Sequence, residues 1–155
     1  MIKPKYFILD VDGVMTTGQF FYSKDGKIYK VFGPHDSDGL KMLKKFLKII
    51  FITADKKGFG ISQKRIQKDL GYDLKLISEE KRCDYLYKNF DLKKVIYMGD
   101  GYYDSAIVKK CVYGIVPKNG RKEALKNADY ITPSKSGEGA VMDACLKIIK
   151  KFFRN

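Results

Sequence analysis

Short apolar runs rich in β-formers recur along this chain, each followed by a stretch with helical spacing. That alternation restricts the possible folds more than any other feature. FIL (7–9), IIFIT (49–53), VIYMG (95–99) and YGIV (113–116) carry no charge and read as buried strands. Between them, Leu40, Leu43, Phe46 and Leu47 keep helical spacing, residues 58–70 form a helix stopped by Gly71, and residues 79–90 and 103–110 form two more. A strand at 74–77, a short helix at 120–127, a brief strand at 130–132 and a helix at about 139–153 complete the series. The last helix carries Ala140, Val141, Ala144, Cys145, Ile148, Ile149 and Phe152 on one side. Strands alternating with helices require crossover connections, hence a mainly parallel sheet covered on both faces. The exception is GQFFYSKDGKIYKVF, where strand-like runs at 19–22 and 27–32 flank Lys24-Asp25-Gly26, a hairpin signal. The expectation is one Rossmann-like α/β domain over residues 1–155, with a β-hairpin flap at about 18–33 inserted after the first strand.

Charge and cysteine usage narrow the function classes. The chain has 155 residues and a net charge of +13, but 27 of its 31 basic residues are Lys, spread over the whole length. Arginine is the residue favoured for base and bidentate phosphate recognition. Dispersed lysine therefore points to solvated helix faces and an anionic small-molecule substrate, with no nucleic-acid partner. No apolar stretch approaches the roughly 20 residues that span a bilayer. The apolar part of MIKPKYFILD is too short for a secretory signal, so no membrane partner is expected. Cys83, Cys111 and Cys145 are scattered, without metal-ligand spacing, and read as reduced thiols in a cytoplasm.

In open α/β sheets, ligands bind beyond the carboxyl ends of the strands. The polar residues placed there are Asp10 and Asp12 after the first strand, Thr53 after the second, and Gly99-Asp100-Gly101-Tyr102-Tyr103-Asp104 after VIYM. Lys81 opens the helix after the strand at 74–77. Alone, Asp10 and Asp12 could be turn residues, Thr53 an end-of-strand hydroxyl, and Lys81 one solvated lysine among many. Together they make a site. Crowded carboxylates repel unless a cation holds them, and oxygen ligands beside a phosphate suit Mg²⁺. A carboxylate can attack phosphorus to form an aspartyl-phosphate, while a second moves the proton of the leaving oxygen. A hydroxyl and an ammonium can hold the phosphoryl oxygens.

DVDGV, the Thr closing IIFIT, Lys81 and GDGYYD stand in the order of the four motifs of the haloacid dehalogenase superfamily, which the chain resembles over nearly its whole length. The missing large cap, the aromatic hairpin and the tail GEGAVMDAC make it similar to the 3-deoxy-D-manno-octulosonate 8-phosphate phosphatase subfamily. The resemblance implies a Mg²⁺-dependent phosphatase acting on a phosphorylated sugar acid of the octulosonate or nonulosonate type. Such sugar acids belong to carbohydrate and lipopolysaccharide biosynthesis. It also implies a homotetramer joined through the hairpins. Carried over by residue, Asp10 is the nucleophile and a metal ligand. Asp12 is the general acid/base, with its backbone carbonyl on the metal. Thr53 and Lys81 bind phosphate, Asp100 is a further metal ligand, and Asp104 supports the metal site from behind. Asp104 could equally cap the following helix.

The chain departs from the subfamily pattern where substrate is read. Asp55 stands two residues after Thr53, where an Arg is usual. His35-Asp36 replaces Arg-Asp, Gly101 replaces a frequent Asp, and Glu138 and Met142 occupy an otherwise arginine-bearing tail. His35, Asp36 and Asp55 are accordingly candidate substrate contacts. Two other readings accompany the phosphatase: a receiver-type domain that accepts phosphate on aspartate, and a tetrameric scaffold with little catalysis.

Overall fold

The computed structural model describes residues 3–154. Six strands form one sheet in the order β5-β4-β1-β6-β7-β8, and every neighbouring pair is parallel. They are β1 (Tyr6–Asp10), β4 (Lys48–Thr53), β5 (Asp73–Leu76), β6 (Val95–Met98), β7 (Tyr113–Val116) and β8 (Tyr130–Ile131). β2 (Thr16–Ser23) and β3 (Gly26–Phe32) pair antiparallel as a separate hairpin. The expected α/β architecture is therefore observed, with the hairpin starting two residues earlier than the sequence suggests. Its turn passes through Gly26 at φ +118°, a conformation that favours glycine.

Strand alternation sorts the core into two layers. Phe7 and Leu9 of β1, with Phe51 and Met98, pack under α1 (Asp36–Leu43) and α6 (Ala140–Phe152). Ile8, Ile52 and Tyr97 face the other way, under α3 (Glu79–Asn89), α4 (Ser105–Lys110) and α5 (Lys122–Leu125). Successive residues of a strand point to opposite faces, so Asp10 leans, like Ile8, toward the α3 side.

Two helices depart from the expected boundaries. α1 begins four residues before Leu40 and ends at Leu43. Phe46 thus leaves the helical stripe and stacks on Phe153, with ring centroids 4.9 Å apart. The segment before Gly71 is α2 (Phe59–Gln63) continued by a π-helical stretch (Lys64–Asp69), which still buries Ile66. Gly71, at φ +76°, ends it as expected. No helix among the described residues is long and apolar enough to cross a membrane.

Candidate active site

β1 lies at the centre of the sheet, between β4 and β6. The ends of these three strands therefore open onto one cleft of about 910 Å³, lined by Asp10, Asp12, Asp55, Arg82, Asp100 and Asp104 among others. One oxygen from each of Asp10, Asp100 and Asp104 lies within 4.8 Å of the other two. The carboxylate of Asp12 is not in that trio; it turns toward the hairpin.

Burial and mutual repulsion set the protonation of this cluster. Burial raises Asp10 to about 7, against the opposing pull of Arg82 and with a further push from Asp104. Asp100 is raised to about 8 by burial and by the charges of Asp10 and Asp104. An all-oxygen trio so reluctant to ionise fits a hard divalent cation, which would relieve the repulsion. The fit extends to the backbone: a Cβ at Gly13, which adopts φ +78°, would overlap the Asp100 carboxylate. Asp104 is largely committed to protein partners. Its Oδ1 accepts from Arg82 Nη1 at 2.9 Å and from the Tyr97 hydroxyl, and its Oδ2 accepts from the Gly101 amide at 2.9 Å. Asp104 occupies the N-cap position of α4, yet its side chain makes no capping hydrogen bond.

The cation at this cluster is Arg82. Nη1 lies 3.1 Å from Asp10 Oδ2 and 2.9 Å from Asp104 Oδ1, with the side chain fully enclosed. Lys81, the residue expected to hold phosphate, is exposed and does not line the cleft. Helical geometry explains the difference: Arg82 and Leu86 are four residues apart on the buried face of α3, and position 81 falls outside that stripe. The 82/86 spacing was the sequence signal for Arg82, obscured because a charged residue on an apolar stripe reads as a boundary.

A second cation, Lys30 of β3, also escaped the sequence reading. Its side chain is fully buried and reaches Asp12 Oδ1 at 2.9 Å, Asp55 Oδ2 at 2.8 Å and Ser62 Oγ at 2.8 Å. All three ammonium donors are thereby used. The hairpin folds over the site and pins Asp12 to the β4 loop. Asp55 also accepts from Lys27 at 2.6 Å and from the Gly58 amide at 3.0 Å. Burial alone would raise Asp55, but the hydrogen bonds from Lys27 and Lys30 prevail and lower it to about 2. Thr53 is buried behind Asp12, donating to its Oδ2 at 3.4 Å and accepting from the Asp55 amide at 3.2 Å.

Two expected substrate contacts lie elsewhere. His35 is exposed, and neither it nor Asp36 lines the cleft. Asp36 is buried beneath the start of α6, where it accepts from the Met142 amide at 3.0 Å. The loop is held there because Gly33 packs against the Gly137 carbonyl so closely that no Cβ would fit. Glu138 is likewise exposed and off the cleft. Asp55 lines it, but as the partner of two lysines.

A family model for haloacid dehalogenase-like hydrolases matches residues 14–144. The 3-deoxy-D-manno-octulosonate 8-phosphate phosphatase KdsC of Salmonella typhi is 26% identical over 150 residues, spanning 91% of this chain and 77% of that protein. Its Haemophilus influenzae counterpart is 28% identical over 141 residues, spanning 88% of this chain and 77% of that one. The crystal structure of the corresponding phosphatase from Moraxella catarrhalis, in complex with a magnesium ion, a phosphate ion and a KDO molecule, superposes with a TM-score of 0.83. It is 29% identical and covers 95% of this chain and 86% of its own.

Proposed function

The chain belongs to the haloacid dehalogenase-like hydrolases and is a phosphomonoester hydrolase, and we propose that it removes phosphate from a small phosphorylated sugar acid. The favoured class is that of 3-deoxy-D-manno-octulosonate 8-phosphate or a nonulosonate phosphate. The observation that carries this reading is the convergence of Asp10, Asp100 and Asp104 within 4.8 Å, with Asp12 beside them on the same cleft.

Asp10 Oδ attacks phosphorus in line with the ester oxygen, and the phosphorus–oxygen bond to the sugar breaks. Asp12 delivers its proton to the departing oxygen, so the sugar leaves as a neutral alcohol. Asp12 then takes a proton from a water that attacks the aspartyl-phosphate, freeing Asp10 and inorganic phosphate. Arg82 holds Asp10 in one rotamer and balances charge on that side, and Lys30 does the same for Asp12. Thr53, at the end of β4, is on this reading the hydroxyl that donates to a phosphoryl oxygen, which requires it to give up its hydrogen bond to Asp12. Asp10, Asp100 and the backbone carbonyl of Asp12 would hold Mg²⁺, with Asp104 behind. When bound, Mg²⁺ supplies the positive charge that offsets the phosphoryl oxygens.

A receiver-type domain needs its phospho-accepting aspartate at the end of a later strand, whereas β4 ends in Thr53. The hairpin leaves Phe21, Tyr22 and Tyr29 more than 60% exposed, which supports assembly through that ribbon as a homotetramer. Three free cysteines support a reducing, cytoplasmic setting. The test is phosphate release from 3-deoxy-D-manno-octulosonate 8-phosphate with Mg²⁺. The wild type is expected to turn over and Asp10→Asn to lose all measurable activity; undiminished turnover in Asp10→Asn overturns the assignment.

A further inference from the structure

Among the described residues, three cationic side chains line the cleft, and two are committed to carboxylates of the protein. Arg82 is enclosed between Asp10 and Asp104. Lys27 donates to Asp55 at 2.6 Å and sits 4.0 Å over the Phe20 ring. Lys30, just behind, spends its three donors on Asp12, Asp55 and Ser62.

Arg121 is different. Among the described residues its guanidinium pairs only with Glu123, at 3.4 Å through both Nε and Nη2, and its side chain is 65% exposed. A pair of that kind contributes little and exchanges readily. Its backbone, by contrast, is held in place. The Arg121 amide donates to the Asp100 carbonyl at 2.8 Å, and the Gly120 amide donates to the Pro117 carbonyl at 2.8 Å. The loop after β7 is thus tied to the loop that carries Asp100. A fixed backbone with a loosely held guanidinium, facing the same cleft as the reacting carboxylates, is suited to receive an anion on the substrate. On the phosphatase reading the phosphoryl group sits at Asp10, with Mg²⁺ offsetting the charge of its oxygens, so the anion left for Arg121 belongs to the leaving group. Exposed Tyr102 and Tyr103, packed edge to face at 5.5 Å, add an aromatic wall beside it.

Resting on the phosphatase reading above, we propose that Arg121 is the specificity-determining residue, which selects sugar-acid phosphates by pairing its guanidinium fork with the substrate carboxylate. Two-point pairing of this type suits Arg and is only partly reproduced by Lys. It also explains how the cleft can select an anionic sugar although its carboxylates outnumber its cations.

The test compares wild type, Arg121→Ala and Arg121→Lys in Mg²⁺ on two esters: 3-deoxy-D-manno-octulosonate 8-phosphate and carboxylate-free p-nitrophenyl phosphate. The ratio of the two kcat/KM values is expected to fall about tenfold to a hundredfold in Arg121→Ala, chiefly through KM for the sugar acid, with Arg121→Lys intermediate. A parallel fall on both esters, or an unchanged ratio, overturns the proposal. Calorimetric titration with the product 3-deoxy-D-manno-octulosonate decides independently of turnover: Arg121→Ala should bind it at least tenfold more weakly, and equal affinity overturns the proposal. Wild type that binds this product in an Arg121-dependent way yet releases no phosphate from either ester would refute the phosphatase reading alone.

Discussion

Replacing Arg82 with Met tests the electrostatic core of the site directly. The substitution keeps much of the side-chain volume but leaves Asp10, 3.1 Å away, and Asp104, 2.9 Å away, without their buried counter-charge. Removing one partner of a buried pair costs about 3–5 kcal/mol, because the desolvated charge left behind has nothing to offset it. For a chain of this size each kcal/mol lowers Tm by about 2–4 °C, so the expected fall is about 6–20 °C. The loss has a defined pH dependence. Asp10 is raised to about 7 even with Arg82 present, so at pH 6 it is mostly neutral and the missing guanidinium matters less; at pH 8 it is mostly ionised in the wild type and the loss is larger. Added Mg²⁺ should recover part of the loss, since a cation among Asp10, Asp100 and Asp104 replaces part of the charge. Calorimetric melts of wild type and Arg82→Met in EDTA and in Mg²⁺, at pH 6 and 8, measure all three effects. Lys81→Met is the control and should lie within about 0.5 kcal/mol of wild type, as exposed substitutions do. An Arg82→Met melt within about 2 °C of wild type at pH 8 in EDTA, or a larger loss from Lys81→Met, would refute the assignment of Arg82 as the cluster's counter-ion.

Three further outcomes are expected. Asp10 at about 7 and Asp100 at about 8 hold protons that a metal must displace, so apparent Mg²⁺ affinity should strengthen at least tenfold between pH 6 and pH 8. Folded pKa values raised above 3.8 mean that metal-free protein loses stability as pH climbs through this window, so its Tm should drop while that of the Mg²⁺-saturated protein holds; a pH-independent affinity contradicts the cluster. If the hairpins join a homotetramer as proposed, wild type should scatter light as a tetramer and Tyr29→Glu, on the exposed face of the hairpin, as a monomer of unchanged helix content; a monomeric wild type or an unchanged mass in Tyr29→Glu contradicts assembly through that face.

Much of this molecule was legible in its order of residues. β1, β4, β6 and β7 announced themselves as uncharged apolar runs, because a strand buried on both faces cannot tolerate charge. Asp10, Asp12, Thr53 and Asp100 followed from their places at strand ends, where a parallel sheet must present its functional groups. The helix containing residues 79–89 was equally clear, yet its direction of burial was not. One step of about 100° separates Lys81 from Arg82, and the residue type at each position favoured neither. Only the packing of Leu86 and Arg82 against the α3 face of the sheet decided which cation enters.

The hairpin shows the same division more sharply. Its turn and its two strands are local matters, decided by Asp25-Gly26 and by alternation over a dozen residues. Its angle to the parent sheet is not local. That angle brings Lys30 onto Asp12, Asp55 and Ser62, residues 18, 25 and 32 positions away in sequence, and so converts one lysine among 27 into a buried strut. His35 and Asp36 lie off the cleft for a related reason, since close packing of Gly33 on Gly137 carries their loop toward α6. By itself, the sequence determined the α/β alternation, the strand ends and the carboxylates they carry, because each of these depends on neighbours within a few residues. Tertiary structure alone decided which cations those carboxylates meet, because a charge is buried only where several distant segments close around it.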